Sequence, residues 1–196
     1  MDVITTTTLL DGLRETGNVR VWQRFEERFY PMVLAFARKL GLNETDAQDG
    51  AQETMATFVE AYRQGRYDRS KGRLRSWLFG IARRTVVDIM RRRPREVAVS
   101  DATDTAAFIE TVEAPDTAAR IWEHEWRCAI LQACVSEVAR DVEPQTLAAF
   151  DLYVLRQWPA EQVAKQLGIT TNAVYIAKNH VMTRIRQIRE QMEAAL

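Results

Sequence analysis

Cysteine, histidine, proline and glycine are all scarce in this sequence, and each scarcity removes a class of protein. Two cysteines in 196 residues, Cys128 and Cys134, cannot build a disulfide framework and fit a reducing compartment. No stretch approaches the roughly 20 consecutive apolar residues that a membrane-spanning helix needs. The N-terminal MDVITTTTLLDGLRE lacks the basic-then-apolar pattern of a signal peptide, so the expected location is the cytoplasm. Charge of one sign is not in surplus either: 27 basic residues balance 27 acidic ones, so any basic surface must be made by local clustering. Only 8 glycines and 5 prolines interrupt long stretches of 3.6-residue apolar periodicity, which predicts an all-α chain with no convincing strand. Its 46% hydrophobic content suffices for packed cores.

The two cysteines and His124 form H-x3-C-x5-C, which raises a metal reading. At about 100° per residue His124 and Cys128 share a helix face, while Cys134 points roughly 120° away from Cys128. Tetrahedral zinc needs four converging ligands, so core thiols and a surface histidine are expected, with no metal and no other cofactor.

Along the chain, Leu9, Leu10 and Leu13 suggest a short amphipathic helix after a frayed threonine run. Trp22, Phe25, Phe29, Val33, Phe36 and Leu40 recur at three- and four-residue steps and predict a helix from about Val21 to Leu40, ended by Gly41. Asn43 or Thr45 can cap a second helix, acidic at its start (Asp46, Asp49, Gln52, Glu53) and apolar toward its end (Met55, Phe58, Val59, Tyr62). A charged loop bounded by Gly65 and Gly72 precedes a helix from about Leu74 to Arg93, which Pro94 ends. The segment from Glu96 to about Pro115 is acidic and lacks periodicity, which reads as a linker. A second helical cluster starts near Thr117, carries Leu131, Cys134, Val135 and Val138 on one face, and continues after Pro144 with Leu147, Phe150, Leu152 and Leu155. The expected organisation is therefore two small helical domains, 1–94 and 117–196, joined by an acidic linker at 95–116.

Two segments carry chemistry. In RLRSWLFGIARRTVVDIMRRR, a helical wheel puts Gly80, Arg84 and Arg91 within roughly 20° of Arg73. Leu74, Leu78, Ile81, Ala82 and Ile89 form the buried side, and Trp77 falls at the boundary between them. Arginines in a line neutralise phosphates and set register, and an aromatic at their edge can stack on a base that has left the duplex. The plainer reading is a core-edge tryptophan beside a solvated charged face. The second segment is WPAEQVAKQLGITTNAVYIAKNHVMTRIRQIRE. Pro159 suits a first turn, Val163, Ala164 and Leu167 give an inner face, Gly168 permits a tight turn, and Thr170 or Thr171 can cap the next helix. This is a helix-turn-helix pattern, as against an ordinary helical hairpin. Val174, Val181, Ile185 and Ile188 form its packing stripe, leaving Thr171, Asn172, Tyr175 and Lys178 at the end of a recognition helix that reads base edges, with Arg184, Arg186 and Arg189 placed for phosphates.

These stretches, together with WQRFEERFYPMVLAFARKLGL and TDAQDGAQETMATFVEAY, resemble in kind and order the sigma-70 family of bacterial RNA polymerase initiation factors, in its extracytoplasmic-function group. The resemblance covers nearly the whole chain after about Val19. It implies two helical domains without catalytic chemistry. The first would bind the clamp helices of the largest polymerase subunit and open and read the −10 element; the second would bind the flap of the other large subunit and read the −35 element. By matched position, Asp46, Asp49, Gln52 and Glu53 would belong to the core-binding helix. The loop with Tyr67, Lys71 and Arg73, followed by Arg75 and Trp77, would meet the opened −10 strand, with Arg84, Asp88 and Arg91 on the −10-facing helix. Thr171, Asn172, Tyr175, Lys178, His180 and Arg184 would face the −35 duplex. The partners implied are core RNA polymerase, promoter DNA and, by group, an anti-sigma factor. The sequence departs from the family pattern at Gly50 and Ala51, where large apolar residues are frequent, at Arg84, where asparagine is, and at Tyr175 and Ala177, where lysine and arginine are.

Two other readings remain open on the residues alone. A conventional helix-turn-helix regulator would bind duplex DNA without polymerase, but leaves the arginines and tryptophan of 73–93 unexplained. A metal-dependent helical hydrolase would use Asp46, Asp49 and Glu53 on neighbouring turns, but no histidine lies near them in sequence.

Overall fold

The computed structural model describes residues 12–13, 18–92 and 115–195. Seven α-helices occupy them: α1 (Val19–Lys39), α2 (Glu44–Arg63), α3 (Leu74–Arg92), α4 (Pro115–Asp141), α5 (Pro144–Phe150), α6 (Ala160–Leu167) and α7 (Thr171–Ala195). A π-turn at Asp151–Leu155 extends α5, and the described residues contain no strand. The all-α expectation holds. None of the described helices is long and apolar enough to cross a membrane. Pro94 and nearly all of the acidic linker, like Leu9 and Leu10, lie outside the described residues.

The chain divides into two compact units, one ending at Ala129 and the other running from Ile130 to Ala195. In the first, the apolar stripe of α1 is buried as its spacing dictates: Phe25, Phe29, Val33 and Phe36 are fully enclosed. Pro31, the helix interior's missing N–H, faces solvent, where the orphaned carbonyl can be hydrated. Asn43, rather than Thr45, caps α2, its side-chain oxygen accepting from the Asp46 N–H at 2.9 Å. Gly50 is buried where α2 meets α3. A Cβ there would lie 3.1 Å from Ile89 Cδ1, so this departure from large apolar residues is a close helix approach matched to Ile89.

The core of this unit is aromatic. Phe25 stacks on Phe58 with centroids 4.6 Å apart, and Phe36 meets Phe79 edge-on at 6.0 Å. Two further rings come from the first half of α4: Trp122 packs on Phe36 at 5.1 Å and Trp126 on Phe29 at 5.2 Å. Ion pairs flank them, Lys39 Nζ to the largely buried Glu125 at 2.5 Å and Arg75 to Glu123 at 2.9 Å. Residues 117–129, which the sequence groups with the second module, thus pack with the first unit. Their apolar side points inward here because Ala118, Trp122, Trp126 and Ala129 recur at three- and four-residue steps.

Small side chains form one core cluster of the second unit, Ala149, Ala160, Val163, Ala164, Val174 and Ala177, while Ile130, Phe150, Ile188 and Met192 are also buried in this unit. Cys134 and Val138 are buried, but Leu131 and Val135 of the same expected face are 55% and 45% exposed. They lie at one edge of a stripe whose centre is shifted toward Ile130 and Cys134. The cysteines split likewise: Cys134 is a core thiol, whereas Cys128 is exposed, 3.7 Å from His124 Nε2. Among the described residues no group of three or more His, Cys, Asp or Glu could hold a metal ion.

Candidate functional site

Helix α2 sorts its side chains by face. Ala47, Gly50, Ala51, Thr54, Met55 and Phe58 are buried, and this leaves Asp49, Gln52 and Glu53 exposed with Asp46 half-buried on the other side. The four residues expected to bind the polymerase therefore form one acidic face. Beside it lies a groove between α1 and α2 that periodicity did not reveal, floored by Trp22, Phe25, Met55 and Val59, with Gln52 on its rim. Arg63 closes one end, its guanidinium 5.2 Å from the Trp22 ring centroid. Only the i, i+3 and i+4 steps between Trp22, Phe25, Met55 and Val59 hinted that two apolar edges face each other.

The connection between α2 and α3 is held at its start by Gly65, whose φ of +70° is a left-handed conformation, and carries Tyr67, Asp68, Ser70 and Lys71. Asp68 accepts from the Ser70 hydroxyl at 2.7 Å and from its N–H at 2.9 Å. These bonds, the hydroxyl's foremost, hold the Asp68 carboxyl below its ordinary range. Lys71 is almost fully exposed, and Arg73 is exposed at the foot of α3.

Trp77 is neither free nor enclosed. Its half-buried indole packs on Phe58 at 5.2 Å, on Tyr62 at 6.4 Å and on Tyr67 at 5.2 Å, the last in a stacked orientation with 30° between the planes. Phe58 and Tyr62, one turn apart on α2, are the partners that the sequence left unassigned. Along α3, Arg84 is 85% exposed and 3.8 Å from Asp88, an i, i+4 pair worth at most a few tenths of a kcal/mol, about 0.3–0.5, at a surface. Arg91 is exposed at the helix end. Arg75 differs from these, since its guanidinium is already engaged by Glu123. No sequence signal joins those two residues, which are far apart in the chain.

In the second unit α6 ends at Gly168, left-handed with φ +65°, and a three-residue turn leads into α7, where the Thr170 hydroxyl, not that of Thr171, accepts from the Ala173 N–H at 3.1 Å. Val174, Val181 and Ile188 pack inward, and Ile185 is half-buried. Asn172, Tyr175 and His180 are exposed, while Thr171 and Lys178 are half-buried. Lys178 Nζ lies 5.8 Å over the Tyr153 ring, and Tyr153 meets Tyr175 edge-on at 5.6 Å, so the π-turn orients two of the residues expected to read DNA. Ala177 is buried against α6, which explains why a small residue rather than an arginine stands there. Arg184 is tied to Asp141 at 3.0 Å and is committed to packing α7 on α4 as much as to any phosphate.

Comparison with known proteins agrees with this geometry. The family described as sigma-70 region 2 matches residues 25–96, which hold α1 from Phe25 onward, α2, the connecting loop and α3. The ECF RNA polymerase sigma factor SigM of Bacillus subtilis (strain 168) is 26% identical over 151 residues, 76% of this chain and 81% of that protein. No solved structure matches. Residues 25–96 thus match a sigma-70 region 2, and three quarters of the chain is similar to an extracytoplasmic-function sigma factor, which supports a role in promoter-specific initiation of transcription.

Proposed function

We propose that this chain binds core RNA polymerase and directs it to promoters by reading a −10 and a −35 element with its two units. The observation that carries the reading is the placement of Trp77, an indole at the seam between an aromatic core and the cationic side of α3. Unstacking a base pair costs a few kcal/mol, and stacking the released base on an aromatic returns about 1–3 kcal/mol. Tyr67, Lys71, Arg73, Arg84, Asp88 and Arg91 surround the path of such a strand. Arg75 joins them on release from Glu123.

The acidic face of Asp46, Asp49, Gln52 and Glu53 binds the clamp of the largest polymerase subunit, and the second unit binds the flap. Thr171, Asn172, Tyr175, Lys178, His180 and Arg184 face the −35 duplex. The linker at 95–116, acidic from Glu96 onward, passes through the polymerase's positively charged channel, its carboxylates standing where phosphates later lie. Net charge zero is compatible with this role, because the polymerase supplies most of the DNA-binding surface. The factor performs no catalysis of its own. An anti-sigma partner follows from group membership; affinity capture of the native protein that returns polymerase subunits alone would remove it.

Footprinting of the reconstituted holoenzyme tests the assignments. Trp77→Ala is expected to leave polymerase binding intact and impair opening around −10, and Lys178→Ala to weaken protection at −35. Equal loss of polymerase binding and opening in the first, or an unchanged footprint in the second, would refute the respective role.

A further inference from the structure

Helix α7 carries an exposed apolar residue that the assignments above leave out. Ile176, in its second turn, is 59% exposed, more than Tyr175 beside it at 45%. A lone apolar side chain at a surface needs no explanation, but the place of this one on the helix does. Buried Val174, Ala177 and Val181 set the inner side of α7. At about 100° per residue, Asn172 and Asn179 then point within roughly 10° of straight outward, with Ile176 about 50° to one side of that line and Tyr175 about 50° to the other. Ile176 follows Asn172 by four residues and precedes Asn179 by three, so the three exposed side chains are neighbours on one ridge. Residues beside the ridge already make contacts within the unit: Lys178 leans over the Tyr153 ring, Tyr175 meets that ring edge-on, and Arg184 holds Asp141.

We propose that Ile176 is a specificity-determining residue for the −35 element, selecting a thymine by packing on its C5-methyl group. This rests on the reading of α7 as the −35-facing helix given above. In the major groove the thymine methyl is the apolar feature that distinguishes one base from the other three, and asparagine is a side chain that pairs bidentately with adenine through N6 and N7. An isoleucine between two outward asparagines therefore suits A·T pairs on both counts, the amides meeting adenine and the branched side chain meeting thymine. Cytosine, with a hydrogen at C5 and an amino donor beside it, offers Ile176 nothing to pack on. In a helix the χ1 of isoleucine is held almost entirely to one rotamer, so little side-chain freedom is lost when the contact forms.

The test uses the full chain bound to core polymerase and removes single methyl groups from the DNA. On a duplex promoter that this holoenzyme footprints, each thymine of the −35 element, on either strand, is replaced in turn by deoxyuridine, which keeps every hydrogen-bonding group and lacks only the methyl. Affinity is then measured by competition. Wild type is expected to lose about threefold to fivefold at one of these thymines, the equivalent of one buried methyl group. Ile176→Ala is expected to bind the unsubstituted promoter more weakly by at least that factor and to be indifferent to deoxyuridine at the same position. Its melting temperature is expected to match wild type, because the side chain is exposed and alanine favours a helix, so weaker binding is not misfolding. Wild-type indifference at every −35 thymine, or an Ile176→Ala protein as sensitive to deoxyuridine as wild type, overturns the proposal. The footprint separates the two levels: with −35 still protected, either result removes the role of Ile176 alone, whereas a holoenzyme that leaves −35 unprotected removes the reading of α7 and the proposal with it.

Discussion

The two units solve opposite packing problems. The first fills its interior with rings, Phe25, Phe29, Phe36, Phe58, Trp122 and Trp126 among them, while the second packs its helix-turn-helix around alanines and valines and buries one phenylalanine, Phe150. Large rings hold helices apart but fix their positions through area and edge-on contacts, which suits a rigid platform for the loop and arginine row proposed above to meet the −10 strand. Small side chains let short helices approach closely, which presents the outer side of α7 without needing a large core. Stability is therefore expected to be concentrated in the first unit.

The most severe way to break that comparison is to remove the rings that α4 supplies. A chain ended at Pro94 loses Trp122 and Trp126, whose burial is worth up to roughly 5–10 kcal/mol by area, and is expected to unfold well below a chain ended at Ala129. Equal melting temperatures for the two fragments would show that α4 adds nothing to the first core. Single substitutions sharpen the contrast. Phe36→Ala is expected to cost about 3–5 kcal/mol in chemical denaturation and Val163→Ala about 2 kcal/mol. Comparable losses would erase the distinction between the units. At Gly168, whose φ is left-handed, alanine is expected to cost about 1–2 kcal/mol and to lower the melting temperature although the space around it is open.

The smallest effect concerns the start of α2. The Arg38 hydrogen bonds hold the Glu44 carboxyl below its ordinary range. A depressed carboxyl stabilises the fold above its unfolded-state value, and the contribution disappears as pH falls through the lowered folded-state value. Glu44→Gln is expected to flatten the acid limb of the stability–pH curve slightly, and because both partners are exposed the change will be small. An unaltered acid limb would mean that the pair contributes nothing.

Much of this was legible from periodicity. The stripes of α1 and α3, the Asn43 cap and the Gly168 turn are local, and local rules place them within a residue or two. Trp77 at the edge of a buried face was likewise a matter of wheel geometry. What the sequence could not show are pairings between distant segments: Glu123 on Arg75, Asp141 on Arg184, Tyr153 beneath Lys178, and the rings of Phe58, Tyr62 and Tyr67 around the indole. The placement of residues 117–129 failed to show for the same reason. A tryptophan stripe announces that it will be buried, but not against which partner, and the acidic segment before it suggested a boundary that packing does not respect. Gly50 is instructive in the other direction, since its departure from the family pattern is explained only when Ile89 is seen across from it.

The account stands on association with polymerase. Mixing the purified chain with sigma-free core RNA polymerase from its own source, separating by size exclusion and transcribing a pool of genomic promoters tests this most directly. A stoichiometric complex that starts transcripts at defined sites sharing two spaced elements is the predicted result. A chain that elutes apart from core and binds duplex DNA by itself would contradict it and return the protein to the conventional helix-turn-helix regulators.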